Sequence, residues 1–434
     1  MKASVLKRDR RYETRNDKSY GIQHWGEGND YPQRVLEIIA ASCTGAACVD
    51  VYGKFIAGKG FTDVLFYKKV INDKGHTNDY ILDLIKTDYS ELGGFALHVN
   101  YNALYQVVEL QHVPFENCRF EKLNDETGDF NKIATHPDWG RRFLSLRKWK
   151  KDDIIFYDLF NPDPEEIQKQ VTEAGGWHNY KGQIYYFSNQ GEKTYSLPLS
   201  DAVLTDMSTE EGVSNVSYRN ARNNFLSAGM LVDIVDDNDS VADDVDDNSR
   251  ERELEKSETE KTLLDFQGDE NAGKLLYIGV GSKEEAPIFT SFKGTNYDKE
   301  FTVTTETAES KIGKRFMQPP ILRAVDVGGN FGADLMKNAY NYYNSITESE
   351  RLVIERVFSQ IFQHWHEPTT LDFSIIPLSY DVETTLAERL GDAKMEKVIE
   401  IITGQMDPQQ KKSICITLFG LTEDEANSLI NVTT

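Results

Sequence analysis

The sequence predicts an α+β fold divided into two or three domains. Three observations carry that prediction. Segments with helical spacing open and close the 434-residue chain. Between them, from Phe95 to Phe187, apolar residues recur with a period of two, as in half-buried strands. Late in the chain, Phe301 to Trp365 reads as helix, glycine-rich loop, helix, helix. The length suits two or three units of ordinary domain size, and a 39% hydrophobic share supplies packed cores.

Taken in order, residues 1–20 are charged and nearly devoid of apolar side chains, which predicts a flexible arm. Asn29-Asp30-Tyr31-Pro32 opens a helix, with proline in its first turn where no amide proton is needed. Val35, Ile38, Ile39, Ala46, Val49 and Phe55 carry that helix to Gly58-Lys59-Gly60, where it ends. Cys43 and Cys48 fall within it as small core residues. Asn78 is placed to cap a second helix through Ile81, Leu84, Ile85 and Tyr89, broken by Gly93-Gly94. The period then changes to two. Phe95–Tyr101 and Leu104–Leu110 form a hairpin about Asn102-Ala103, and Asn117–Leu123 continues the strands to a turn at Asp125–Asp129. Ile154–Tyr157 and Gln183–Phe187 are further strands, with a helix starting at Asn161–Glu166 between them.

A helix is predicted from about Asp201 to Leu226. From Asp233 to Asp247 there are eight aspartates in fifteen residues. An EF-hand reading of that run fails, because the places for its glycine and its final glutamate hold Val241 and Asp247. A solvated acidic insertion is the plainer reading. Residues 249–265 resume as a charged helix, and Lys274–Val280 and Leu371–Pro377 are strands. An amphipathic helix spans Thr384 to Ile402, Gly404 breaks it, and a compact helical tail ends at Leu429.

The late segment is the most informative. Its first helix runs to Met317 and stops at Gln318-Pro319-Pro320, since proline lacks an amide proton and pushes its predecessor out of the α region. Gly328, Gly329, Asn330 and Gly332 then make a turning loop. A helix restarts at Ala333. Thr347 with Glu350 has the spacing of a capping box ahead of the next helix. The loop is no P-loop: Gly-Gly-Asn-Phe-Gly has no lysine and follows Pro-Pro rather than a strand. By itself it also reads as an ordinary surface loop.

Asp plus Glu number 71 against 48 Lys plus Arg, a net charge of −23. A protein that grips nucleic acid carries a basic face, so the balance argues against a repressor or nuclease. It is compatible with a passage through which DNA slides without sticking. The four cysteines form no Cys-x-x-Cys pair, which leaves neither a zinc site nor a disulfide framework, and reduced thiols are the simplest account. No apolar run approaches the ~18 residues needed to span a bilayer. His364-Trp365-His366 is the one local histidine cluster, and residues two apart do not share a helix face, so these read as solvent-facing. No Gly-x-Ser-x-Gly elbow or HExxH motif is present. No enzyme is predicted.

An ordered series of short motifs resembles the portal proteins of tailed bacteriophages, of the type found in phages and prophages of Bacteroides-like bacteria. The series comprises Asn29–Pro32, Gly58–Phe61, Glu91–Leu97, His112–Phe115, Gln183–Phe187, Tyr195–Leu199, Asn224–Gly229, Asn271–Lys274 and Phe316–Leu335. It covers roughly residues 20–380. The resemblance implies a portal-like fold: a mixed α/β wing and clip, long stem and tunnel helices, and a short helical crown. It implies a homo-oligomeric ring of about twelve copies at one capsid vertex. Through that ring a terminase large subunit drives double-stranded DNA, and onto it a head-tail adaptor docks. The major capsid or scaffold protein would be a further partner. The location would be the virion after assembly in the host cytoplasm, with no membrane partner, no cofactor, no metal and no catalytic residue.

On this resemblance residues 1–20 are an arm, 21–114 the first part of the wing and 115–198 a β-rich region containing the clip. Residues 199–232 are a stem helix, 233–248 the acidic insertion and 249–318 the second part of the wing. The tunnel loop and its helices occupy 319–366, and wing end and crown 367–434. The acidic insertion departs from the family pattern. Arg323, Val325, Asp326, Gly328, Gly329, Asn330 and Gly332 match the DNA-channel tunnel loop. Arg323 is the one basic residue between Pro320 and Gly332, hence the candidate for a transient phosphate contact; the other reading pairs it with Asp326 or a neighbouring subunit. Two further function classes stay open: an adaptor or minor capsid component, and a nucleic-acid-processing enzyme with carboxylates clustered around Mg²⁺.

Overall fold

The computed structural model describes residues 14–124, 129–137, 139, 153–191, 193–222, 229–234, 275–280, 297–323, 333–380, 392–404, 406–419 and 421. The fold is α+β. The chain forms two compact units. The first comprises residues 1–330 and 339–378, the second 331–338 and 379–434.

The first unit begins with a correction to the expected arm. Thr14–Asp17 (β1) pairs antiparallel with Ile22–Trp25 (β2). The Asp17 carboxylate accepts from the amides of Ser19 and Tyr20, and Gly21 at φ 72° closes the turn. The expected single helix to Gly58 is two: Tyr31–Ala41 (α1) and Cys43–Ala57 (α2), bent by 107° at Ser42. Ser42 is extended, its Oγ accepts from the Gly45 amide at 2.9 Å, and the same hydroxyl donates to buried Glu210. Glu210 also accepts from the amide and hydroxyl of Thr44, so a carboxylate sits at the positive end of α2. The break leaves Cys43 exposed, whereas Cys48 is buried as expected and burial pushes its thiol up to about 11. Among the described residues no single helix is long and apolar enough to cross a membrane.

A short helix, Val64–Tyr67 (α3), is capped by Asp63 and precedes Asn78–Leu92 (α4). Thr77 rather than Asn78 holds the cap position of α4. Asn78 is fully buried and donates instead to the Phe66 carbonyl at 2.9 Å. Gly93 ends α4 in the left-handed region, which a glycine adopts freely. One six-stranded sheet follows, ordered β4-β3-β8-β7-β6-β5. Its strands are Gly94–Tyr101 (β3), Val107–Val113 (β4), Cys118–Phe120 (β5), Lys132–Thr135 (β6), Ile155–Leu159 (β7) and Gln183–Ser188 (β8). The β3–β4 turn is longer than expected, because Asn102 closes it with its side chain: Oδ1 accepts from the amides of Leu104 and Gln106. β7 and β8 are parallel and joined by Pro164–Glu173 (α5), the crossover a parallel pair requires. The sheet runs across the boundary expected between residues 114 and 115.

Two 19-residue helices, Leu204–Arg222 (α6) and Tyr297–Arg315 (α7), pack on each other. A parallel strand pair, Gly229–Ile234 (β9) with Leu275–Val280 (β10), lies between them in sequence. Of the acidic run only Asp233 and Ile234 are described. Ala333–Ile346 (α8) and Glu348–Phe362 (α9) follow. The capping box expected at α9 does not form. Thr347 donates to the Tyr343 carbonyl at 3.0 Å and accepts from Arg351, while Glu350 takes the Tyr52 hydroxyl at 2.9 Å. The expected strand Leu371–Pro377 is reduced to a single bridge, Ile375 to Phe61. The core joins Trp25, Phe95, Phe115, Phe120, Tyr195, Phe316, Phe358 and Phe362. Trp25 and Phe120 both stack on Tyr195, at 4.6 and 4.3 Å.

In the second unit, Asp392–Thr403 (α10) and Pro408–Phe419 (α11) pack through Val398, Ile402, Cys415 and Leu421. Residues 384–391 and 422–429 of the expected helices, and the charged helix at 249–265, lie outside the described residues.

Candidate channel-loop site

The elements around the loop explain what it is mounted on. α6 and α7 run antiparallel: Lys311 near the end of α7 meets Asp206 near the start of α6 at 2.8 Å, and Arg315 Nε donates to the Leu199 carbonyl at 2.8 Å. Their inner halves are anchored by buried Met207, Glu210, Ala308 and Ile312. Tyr218 is 63% exposed and Val303 61% exposed, on helices of about 28 Å at 1.5 Å per residue. Antiparallel pairing puts both residues toward the end remote from Lys311 and Asp206.

α7 ends in a six-residue C-terminal turn. The Gln318 amide donates back to the Gly313 carbonyl, and Met317 takes the left-handed position at φ 52°. Gln318 is then clamped. Its Nε2 donates to the Cys48 carbonyl (2.5 Å) and to the Tyr343 hydroxyl (3.1 Å), which itself donates to the Phe316 carbonyl. Three helices are thereby tied to the residue that starts the loop. On the far side, Arg351 donates to the carbonyls of Phe55 and Asn344, at 2.9 and 2.6 Å, tying α9 to the ends of α2 and α8.

Pro320–Arg323 forms one 3₁₀ turn, with Ile321 buried. Arg323 folds back onto α7. Its guanidinium lies over Gly313, where any Cβ would collide with it, and Nη1 donates to the Glu309 carbonyl at 3.3 Å. A phosphate contact by Arg323 would therefore require it to leave this helix. Val325, Asp326, Gly328, Gly329, Asn330 and Gly332 lie outside the described residues. Sequence reading missed Gln318, Tyr343 and Arg351. The available signal was an amide side chain directly before Pro-Pro and an arginine among the apolar positions of α9.

His364 and His366 are exposed on either side of buried Trp365, as expected. Among the described residues, no group of three or more His, Cys, Asp or Glu side chains is placed to hold a metal ion. One carboxylate cluster does exist. Buried Asp88 accepts from His112 Nε2 at 2.6 Å and from the Phe115 amide, and burial pushes its carboxyl up despite both donors. Glu91 is pushed up to about 7, chiefly by burial and then by the charges of Asp88 and Glu116. Below about pH 4.5 Glu91 is neutral in both folded and unfolded chains. As pH rises toward 7 the unfolded chain ionises freely while the folded one resists, so stability falls across that window. Glu91→Gln is expected to flatten the decline in melting temperature between pH 5 and pH 7.5. Equal slopes for variant and wild type would refute the assignment.

No family model matches the chain, and no curated protein matches it. Solved structures do. The virion of a native gene transfer agent particle is 13% identical, with a TM-score of 0.45, over 89% of this chain and 93% of that chain. The neck of the native gene transfer agent particle, computed with C12 symmetry, is 14% identical with a TM-score of 0.41, over 90% and 94%. An HK97-family phage portal protein from Corynebacterium diphtheriae is 11% identical with a TM-score of 0.29, over 70% and 82%.

Proposed function

We propose that the chain is a portal-type structural protein of a phage-like virion, working as a ring at one capsid vertex rather than as an enzyme. DNA would enter through the ring under a terminase motor and leave through it later, and a head-tail adaptor would dock on it. The observation that carries this reading is the α6–α7 pair. Two long helices leave a packed base and keep apolar side chains uncovered at the far end. A cyclic arrangement of copies would cover such side chains with the same helices of a neighbour, because a head-to-tail contact that closes repeats one interface around the ring. The motif series in the sequence supports the same reading independently. The net charge of −23 suits a channel, since each tight phosphate contact would add to the barrier against sliding. The loop after Arg323 would face the duplex, its root held by Gln318 and Tyr343.

The mass and symmetry of the purified protein test this, by light scattering followed by negative-stain class averages. A closed ring of about a dozen copies with a central hole is expected. A compact dimer or tetramer without a channel would overturn it. In particles, Gly329→Pro would then lower packaged DNA per head more than Arg323→Ala, because Arg323 already has a partner on α7.

A further inference from the structure

A groove of about 530 Å³ lies between β8 and α9. One wall is a single face of α9, where Val353, Arg356, Val357 and Gln360 follow one another at helical spacing. The facing wall is Tyr185–Ser188 with Phe160, Pro162, Gly191 and Lys193. Tyr185 donates to Gln360 Oε1 at 2.8 Å, bridging the two walls.

The described charged side chains lining this groove differ in sign from the chain as a whole. Asp and Glu outnumber Lys and Arg by 71 to 48 overall, yet among the described residues that line the groove none is a carboxylate, while Arg356, Lys193 and His364 are basic. Lys193 already pairs with exposed Asp129. Arg356 is exposed and has no ion pair among the described residues, and it shares the α9 wall with Val353 and Val357. A free guanidinium set in an apolar wall suits a carboxylate that carries aliphatic side chains beside it. A bare phosphate chain would leave Phe160, Pro162 and the valines uncovered, and the net charge would repel it.

We propose that this groove binds an acidic peptide segment bearing aliphatic side chains, supplied by a partner in the assembled particle, with Arg356 as its anchoring cation. The partner rests on the virion reading above, but peptide binding concerns one subunit and is measured without the ring, so the two can fail separately. Residues 235–247 of this chain have the required composition, valines and an alanine among aspartates, so a fluorescein-labelled synthetic peptide of that sequence serves as the probe. Fluorescence anisotropy against the full-length protein should show saturable binding that weakens as salt rises. Arg356→Glu should weaken it by about tenfold or more, Arg356→Lys by less, and both variants should melt like the wild type because the side chain is exposed. A peptide of the same sequence with lysine for every aspartate should not bind. The proposal is overturned if the acidic peptide does not saturate, if Arg356→Glu binds it as well as wild type does, or if a short DNA duplex competes it away at equal concentration.

Discussion

Arg119→Met is expected to cost about 3–5 kcal/mol of stability, the scale for leaving buried polar groups without their charged partner. Arg119 is fully buried, between the indole rings of Trp25 and Trp139 at 5.6 and 5.3 Å. Its donors are all directed at neutral oxygens. Nε reaches Asn29 Oδ1 at 2.5 Å, Nη1 the carbonyls of Glu116 (2.9 Å) and Cys118 (2.7 Å), and Nη2 the Asn29 carbonyl (2.7 Å) and Gln33 Oε1 (3.4 Å). Burial lowers its pKa to about 10, which still leaves it charged at neutral pH. It fastens β5 to the turn where Asn29, at φ 59°, admits α1. Methionine fills much of the volume but offers no donor, so several buried acceptors would be stranded. Thermal melts should show a drop of about 5 °C, given the entropy of unfolding of a unit this size. Arg119→Lys should fall between, with charge retained and fewer donors. A melting temperature within about 1 °C of wild type for Arg119→Met would refute the role.

Gly58→Ala should cost about 3 kcal/mol, for two reasons that add. Gly58 sits at φ 57°, ψ −140°, a region that side-chain-bearing residues avoid. A Cβ there would also run into the carbonyl oxygen of Ile376, a backbone atom that cannot move aside alone. That carbonyl accepts from the Lys59 amide at 2.8 Å, and the Ile376 amide donates to Gly60 at 2.9 Å. The substitution would therefore pry the returning segment 374–376 from the end of α2. Gly75→Ala separates the two causes, because Gly75 also has positive φ (76°) but open space around its Cβ position. It should cost about 1 kcal/mol, the left-handed penalty alone. Equal melting temperatures for the two variants would show that the Ile376 contact contributes nothing.

These two residues show where sequence reading reached and where it stopped. Gly58 was legible as a helix end, because a glycine pair after an apolar helical run is a local signal. Its contact with Ile376 was not, since the partner lies more than 300 positions away in the chain. Arg119 gave no signal at all: an arginine in a strand reads as exposed until two tryptophans and the Asn29 turn close around it. The capping box at Thr347 failed for the same reason. Its local spacing was right, but Tyr52 claimed Glu350 and Arg351 claimed Thr347.

The glycine-rich loop divides similarly. Its bounds were legible from Pro319-Pro320, which stops α7, and from the helical spacing that resumes at Ala333. The direction of Arg323 was not, because only the packed structure brings its guanidinium over Gly313. Likewise Ser42 broke a helix that its neighbours' periodicity would have continued, because Glu210 arrives from α6 to take its hydroxyl.

The sequence by itself determined the α+β class, the succession of the main helices and strands from Asn78 to Phe187, the acidic character and the position of the glycine-rich loop. Each is set by nearest-neighbour chemistry: periodicity, proline and glycine dihedrals, and the count of charges. Tertiary structure alone decided which strands share one sheet, that α6 and α7 pair antiparallel, and which polar residues are buried. Those outcomes depend on groups far apart in the chain competing for the same hydrogen-bond acceptors and the same apolar surface, and no local pattern records who wins.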